Sequence, residues 1–528
     1  MEAASGPQTG PAGTIQPGPP PPITEVERQG IEPIPPEERT ATPTDLFRVS
    51  FGGANTFATV VLGAFPILLF GLSFWEGLLA AVLGVVVGGA ILAPMALFGP
   101  ANGTNNAVSS GAHFGVVGRI VGSFLSLLTA ITFFAISIFT SGDILVGALD
   151  RLFGTGQSDA LVAVAYGLFG VAILAICLYG FRFMLAVNKV AVVTATALYL
   201  LGAAAFAGDF DPGVAGARPE FLPAFIGSTL LVMANPLSFG AFLGDWARYI
   251  PSTARRSRLM LAAFGAQFAT LIPFVFGLAT ATIIVAQAPE AAASANYAAG
   301  LVQITPDWFL LPVCVIAVIG GLSTGTTSLY GTGLDFSSVF PFLSRFQSTL
   351  LVGTLSIAIV FIARFAADFV TAIVTFATLI IVCTTPWVVI MTIGFITRRG
   401  WYRSDDLQVF NRSQRGGAYW FTRGVNYRAM AAWIPAAIVG VLFVNIPEQF
   451  EGGLRHTFGG SLEGVDVSLA VVIVLAAVLF VLFELLFPEP REVYGPDGPR
   501  LFRATDARQV PPIQDRRGDR AIGATQHP

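Results

Sequence analysis

FLPAFIGSTLLVMANPLSFGAFLGDWARYIP, residues 221–251, begins as an apolar run long enough to enter a bilayer and then changes character near its middle. Asn235, Pro236, Ser238 and Gly240 fall within six residues of one another. Pro236 has no N–H to give the carbonyl four residues back, and its ring pushes that carbonyl away. Hydrocarbon offers no replacement partner, so such an interruption survives only where protein or a polar cavity covers it. Two readings follow. One is a simple proline kink; the other is a helix broken near the bilayer midplane, the device by which secondary transporters present backbone dipoles to substrate and ions.

The rest of the chain favours the second reading. Of 528 residues 54% are hydrophobic and 12% charged, half the charged share of an ordinary soluble domain, about 25%. That balance describes a polytopic membrane protein. The start of the chain is acidic and proline-rich, unlike a cleavable signal. Cys177, Cys314 and Cys383 lie inside apolar runs with no metal or disulfide spacing. Residues 1–44, with PGPPPP at 17–22, are expected to be a disordered tail, and 488–528 a second polar tail. Between them twelve apolar runs are expected to span the membrane: 50–72, 75–98, 120–146, 159–179, 190–206, 222–244, 259–286, 308–330, 350–365, 369–396, 431–446 and 467–487. Most reach the ~20 residues that a bilayer core requires, and the ninth and eleventh fall short.

Basic residues give the orientation. With the N-terminus inside, the inner loops hold fifteen, including Arg119, Lys189, Arg248, Arg256, Arg398 and Arg428, against Arg151, Arg218, Arg364 and Arg455 outside. The positive-inside rule then places both termini in the cytoplasm. The outer loops instead collect acids such as Asp209, Asp211, Glu448 and Glu463. The first span, with Gly52, Gly53, Asn55, Thr56, Thr59, Gly63 and Pro66, is the other interrupted one. Spans 1 and 6 open two five-span halves, about 50–207 and 221–396, as in an inverted-repeat transporter with a midplane site.

Five further stretches carry a specific resemblance. FGPANGTNNAVSSGAHFGVVG (98–118), LYGFRFMLAVNK (178–189), DWARYIP (245–251), TTPWVVIMTIGFITRRGWY (384–402) and GGAYWFTRGVNYRAMAAW (416–433) occur in register across about 45–487. In that order they resemble the nucleobase:cation symporter family, the permeases for cytosine, purines, uracil, thiamine, allantoin and hydantoins. The resemblance implies an all-α transporter domain over 45–487. Its ten-helix core has 5+5 inverted repeats with broken helices 1 and 6, followed by two extra helices over about 429–487. It also implies a planar heterocycle stacked between aromatics on helices 3 and 6 and read by polar groups on helix 8, for stacking tolerates many bases while hydrogen bonds choose among them.

Carried over by position, the helix-3 aromatic falls on Phe133 or Phe134 and its polar neighbour on Ser137. The helix-6 platform falls on Phe239 beside Gly240, with Asn235 and Thr59 nearby, and the helix-8 reader on Thr327 or Ser328. A sodium site would use Ser323 and Thr324 against span-1 backbone from Gly53 to Thr56. Where many members carry Trp, Trp and Asn at these positions, this chain has Phe, Phe and Ser. The coupling ion is Na⁺ if those neutral oxygens bind it, or H⁺ if the intramembrane carboxylate Asp143 titrates instead. Asp245 and Arg248 are expected to form a gate or structural pair. No paired carboxylates, nucleophile elbow, phosphate loop or metal cluster points to an enzyme. The expectation is therefore a symporter of the plasma or inner membrane that imports a nucleobase-like heterocycle, with no cofactor beyond a coupling ion and no nucleic-acid partner. An amino-acid, amine or vitamin carrier of the same fold, or a non-transporting nutrient sensor, is the alternative.

Overall fold

A computed structural model describes residues 30–515 apart from 180, 217–219, 341, 367–368, 447–448 and 507–508. The tail readings for 1–29 and 516–528, and the placements of Arg218 and Glu448, lie outside the described residues.

The first span is two helices, α1 (Pro43–Ala54) and α2 (Phe57–Leu68), bent by 60° at the residues between them. Both starts have caps: the Thr42 hydroxyl and Asp45 form a reciprocal capping box, and the Thr56 side chain accepts from the Thr59 N–H. Then follow α3 (Phe74–Leu92), α4 (Ile120–Phe153), α5 (Asp159–Tyr179), α6 (Phe181–Ala205) and α7 (Phe221–Ala247). The second half contains α8 (Arg256–Ala269), α9 (Leu271–Gln287), α10 (Asp307–Val339), α11 (Arg345–Ala366), α12 (Phe369–Leu379) and α13 (Thr385–Thr397). The chain closes with α14 (Tyr427–Phe443) and α15 (Ser468–Leu486).

Among the described residues nine helices are long and apolar enough to cross a membrane, or ten with the bent pair counted as one span; Phe346–Ile362 and Tyr427–Phe443 are shorter apolar helices. The protein is thus a mostly helical, multi-pass membrane protein.

Three pairings organise the bundle: α4 along α10, α3 along α7, and α2 along α9. Without a hydrophobic force between helices in lipid, close backbone approach supplies the attraction. The α2–α9 crossing shows it. A Cβ added to Gly63 would sit 2.7 Å from the Phe274 Cα, and one added to Gly277 2.9 Å from the Val60 carbonyl carbon. Only glycines allow that contact.

Two expectations need correction. The sixth span is not broken: α7 runs through Pro236 as a single 27-residue helix. The lost proline bond is local, and the Ser238 hydroxyl donates to the Asn235 carbonyl at 2.6 Å beside it. Nor are the flanking segments wholly free tails. Ile31 and Ile34 are buried, and the Ile31 carbonyl accepts from Thr104 Oγ1 at 2.7 Å and Gln408 Nε2 at 3.0 Å. At the other end Glu489 and Tyr494 are buried. Glu489 pairs with buried Arg398 at 2.6 Å and accepts from Asn426 Nδ2 at 3.1 Å. Residues 414–415 pair with 514–515 as antiparallel strands. Both described ends therefore pack on the loops 98–118 and 398–426. Polar composition concealed this because few anchors do the holding. In that layer burial, and then the Arg398 charge, hold the His113 imidazole well below its usual pKa; Arg398 Nη1 lies 2.7 Å from His113 Nδ1.

Candidate substrate and ion site

The bend between α1 and α2 determines the chemistry of the site. The last turn of a helix leaves carbonyls without intrahelical partners and carries partial negative charge. At the end of α1 those carbonyls meet α10. Ser323 Oγ donates to the Gly52 carbonyl at 2.6 Å, and Thr324 Oγ1 lies 3.4 Å from the Gly53 carbonyl and 3.2 Å from that of Gly320. Helix α6 adds an amide: Ser323 Oγ also contacts Asn188 Oδ1. The orientation of that amide is fixed, since Asn188 Nδ2 donates to the Met184 carbonyl at 3.0 Å.

The proton count is informative. A hydroxyl carries one hydrogen, yet Ser323 faces two acceptors and Thr324 two more. Lone pairs outnumber protons in a buried cluster of neutral oxygens, an arrangement suited to a hard cation. The Thr59 hydroxyl, donating to the Ala54 carbonyl at 2.5 Å, ties the bend from its other side, and Thr56 serves as the α2 cap. Among the described residues no group of three or more His, Cys, Asp or Glu could hold a transition metal.

Beside this cluster lies a cavity lined by Gly53, Phe133, Ser238, Phe239, Phe242, Trp246, Thr324, Thr327 and Ser328, all of them buried. Helix α4 supplies Phe133, α10 supplies the hydroxyls of Thr324, Thr327 and Ser328, and α7 supplies Ser238 and the aromatics Phe239, Phe242 and Trp246. Positions 235, 238, 239, 242 and 246 recur at helical spacing on one face of α7. The Phe239 and Trp246 rings are 5.8 Å apart, tilted by 59°.

The structure gathers Phe133, Phe239, Thr327, Ser328, Thr324 and Gly53 around this cavity, with Ser323 in the adjoining oxygen cluster. Of Phe133 and Phe134, Phe133 lines the cavity, while Phe134 packs with Ile138, Tyr166 and Phe169 in a separate apolar cluster. Ser137 does not line the cavity, and its hydroxyl donates to the Phe133 carbonyl at 2.6 Å. Gly240 faces away, toward Val388 and Thr384, and its carbonyl accepts from Asn106 Nδ2 at 2.8 Å. Asn235 is buried one turn above Ser238 and Phe239, with neither side-chain atom partnered among the described residues.

Asp143 lies well along α4 from Phe133, where its Oδ1 accepts from Tyr166 Oη at 2.5 Å, outside the cavity. Asp245 and Arg248 are both fully buried. Arg248 Nη1 donates to the Gly30 carbonyl at 2.5 Å, and Nη2 reaches Tyr330 Oη at 3.3 Å. Sequence reasoning missed Ser238, Phe242 and Trp246 on the wall, and Gly52, Gly320 and Asn188 in the oxygen cluster. Asn188 did leave a signal, as an amide within an otherwise apolar run.

A cavity between helices, set against an oxygen cluster at a helix bend, is an arrangement that multi-pass carriers use to hold substrate beside an ion. The comparisons agree. Residues 33–460 match the family described as "Permease for cytosine/purines, uracil, thiamine, allantoin". The chain is 24% identical over 472 residues to the Bacillus subtilis (strain 168) protein YxlA, which carries the name of a purine-cytosine permease, with 86% of this chain and 96% of that one covered. Its fold is similar to that of Mhp1, a nucleobase-cation-symport-1 family transporter, in a closed conformation with bromovinylhydantoin bound. There the TM-score is 0.67 at 17% identity, over 86% of this chain and 94% of the other. A Na⁺-coupled sialic acid symporter in an outward-open state is more distantly similar, with a TM-score of 0.55 at 14% identity over 86% of this chain and 92% of that one. The chain belongs to the family of permeases for cytosine/purines, uracil, thiamine and allantoin, the nucleobase-cation symporters. Its relatives are transporters, not enzymes.

Proposed function

We propose that this protein imports a planar nucleobase-like heterocycle across the plasma membrane, coupled to Na⁺. The substrate lies against Phe133 and Phe239, and the ion is held by Ser323, Thr324 and the carbonyls of Gly52, Gly53 and Gly320, with Asn188 beside them. One observation carries the reading: Gly53 and Thr324 belong to both places, lining the cavity and forming part of the oxygen cluster. An ion that orders those residues changes the wall against which the substrate binds, and by reciprocity the substrate changes ion affinity. Asp143, the alternative proton carrier, is engaged by Tyr166 and stands apart from this shared wall. The names of relatives support the substrate class, since YxlA is called a purine-cytosine permease and Mhp1 was seen with a hydantoin.

Twelve spans with both termini cytoplasmic follow if the two shorter apolar helices also cross the membrane. The arginine distribution supports that topology. The main packing pairs support the inverted repeat. Exchanging spans 1–5 for spans 6–10 turns the α3–α7 pair into the α9–α2 pair and leaves α4–α10 as itself.

The test is counterflow in liposomes holding the purified full chain and preloaded with unlabelled heterocycles, with sodium or choline as the cation. Sodium-dependent exchange of a labelled nucleobase is the expected result. Binding without exchange would make the protein a sensor, and exchange of amino acids alone would overturn the substrate class.

A further inference from the structure

The cavity wall is unbalanced in its hydrogen-bonding groups. Ser238 donates to the Asn235 carbonyl. Thr324 faces the Gly53 and Gly320 carbonyls, and Thr327 the carbonyls of Ser323 at 2.9 Å and Thr324 at 3.0 Å. These hydroxyl protons are turned toward backbone oxygens, so toward a ligand the hydroxyls offer lone pairs. Trp246 is the opposite case. It lines the same cavity and is 2% exposed, and its indole Nε1–H has no hydrogen-bond partner among the described residues. An indole nitrogen can only donate. A buried donor left unmade is costly, so such a group calls for a partner.

We propose that the Trp246 N–H donates to an in-plane carbonyl oxygen of the transported heterocycle, while wall hydroxyls accept from an adjacent ring N–H. This site would select a cyclic amide edge, –NH–C(=O)–, over the amidine edge of an amino-substituted ring. The inference rests on the proposed heterocycle site and gives that site its specificity. The placement suits the role. Trp246 is seven residues after Phe239 and four after Phe242, on one helix face, and all three line the same cavity. Sites built to hydrogen-bond a particular group reject analogues lacking it far more strongly than apolar pockets do.

The experiment uses the purified full chain and paired probes: 4-pyrimidinone against 4-aminopyrimidine, and hypoxanthine against adenine, each titrated in sodium buffer by thermal shift and competition. For the parent protein the oxo member of at least one pair should bind about tenfold or more tightly than its amino partner, about 1.4 kcal/mol. Trp246→Phe keeps the ring and removes the N–H. It should lose about that factor for the oxo compound, leave the amino compound unchanged, and so collapse the preference. If Trp246→Phe does not fold, the parent's ranking still decides, for equal affinity within both pairs overturns the proposal. A preference that survives in Trp246→Phe overturns it as well, while leaving the heterocycle site standing. Failure of every probe to bind the parent defeats the site reading itself and this inference with it.

Discussion

Two stretches of this chain look alike on paper and fold differently. Residues 52–59 combine glycines with Asn55, Thr56 and Thr59, and residues 235–240 combine Asn235, Pro236, Ser238 and Gly240. The first is a true interruption with a 60° bend. The second lies inside a continuous helix. Capping makes the difference. At the first stretch the Asn55 N–H closes on the Phe51 carbonyl, the Thr56 hydroxyl caps the next helix, and the Thr59 hydroxyl takes the Ala54 carbonyl. Both new helix ends find partners locally, and the remaining carbonyls meet α10. At the second, proline removes one hydrogen bond and the polar groups beside it do not cap: the Ser238 hydroxyl donates to the Asn235 carbonyl within the helix, and the helix continues. A helix in hydrocarbon breaks where side chains can satisfy both ends, and a proline alone is insufficient. The functional consequence is a division of labour: the bend exposes backbone oxygens suited to an ion, and the intact helix presents a ruled face of side chains suited to an organic ligand.

Substitutions can break that division. The largest effect is expected from Ser323→Ala combined with Thr324→Ala, which removes both hydroxyls facing the bend. Hydrogen bonds or ligand contacts to charged groups contribute ~1.5–3 kcal/mol each, so sodium-stimulated uptake should fall ~100-fold or more. Equal uptake in sodium by this double variant would remove the ion from the bend.

Phe239→Ala on the intact helix should weaken heterocycle binding ~10- to 100-fold, in line with ~1–3 kcal/mol per base stacked on an aromatic. Its sodium-induced stabilisation measured without substrate should stay near parental. Loss of both responses together would mean that the two regions are not separable.

The helix contrast itself is sharpened by a smaller pair. Thr56→Ala should cost ~1 kcal/mol through the missing cap. Pro236→Ala, in a helix already continuous, should leave thermal stability equal or raised and transport within about threefold, since replacing an interior proline restores a donor. A transport-dead but stable Pro236→Ala would show that the proline acts as more than a tolerated residue.

The smallest effect concerns the packed terminal layer. His113 is held neutral in the folded protein, its pKa below the unfolded value, so the unfolded chain binds more protons as pH falls through that range. Folding stability should therefore decline as pH drops below about 6.5. His113→Gln should flatten this acid slope in a pH-resolved melting series, and an unchanged slope would assign the acid loss to other groups.

Much of this architecture was legible in the sequence, because a bilayer imposes lengths on apolar runs. Gly53, Ser323 and Thr324 of the oxygen cluster could be named from the order of the family-like motifs, whereas Gly52, Gly320 and Asn188 could not. The cavity wall was less so, for a physical reason. From Gly227 to Ala247 every residue of α7 is buried, so no polar face betrays which side meets the ligand, and Phe242 and Trp246 looked like any other apolar positions. Phe133 and Phe134, adjacent and about 100° apart on a helix, could be told apart only by the neighbours each meets. The proline was misjudged because a proline reports a missing donor and says nothing about whether caps are available. The terminal segments were misjudged because their hold depends on a few buried anchors, such as Ile31 and Glu489, within polar sequence.

The central claim is that ion and substrate share a wall at Gly53 and Thr324. Its most direct test is the affinity of the purified full chain for its best-binding heterocycle as sodium is replaced by choline at constant ionic strength, alongside sodium affinity with and without that heterocycle. The account predicts that sodium tightens heterocycle binding at least about fivefold, and that the heterocycle tightens sodium binding by the same factor, as linkage requires. Heterocycle affinity indifferent to sodium, and responsive instead to pH, would contradict it and return the coupling to Asp143.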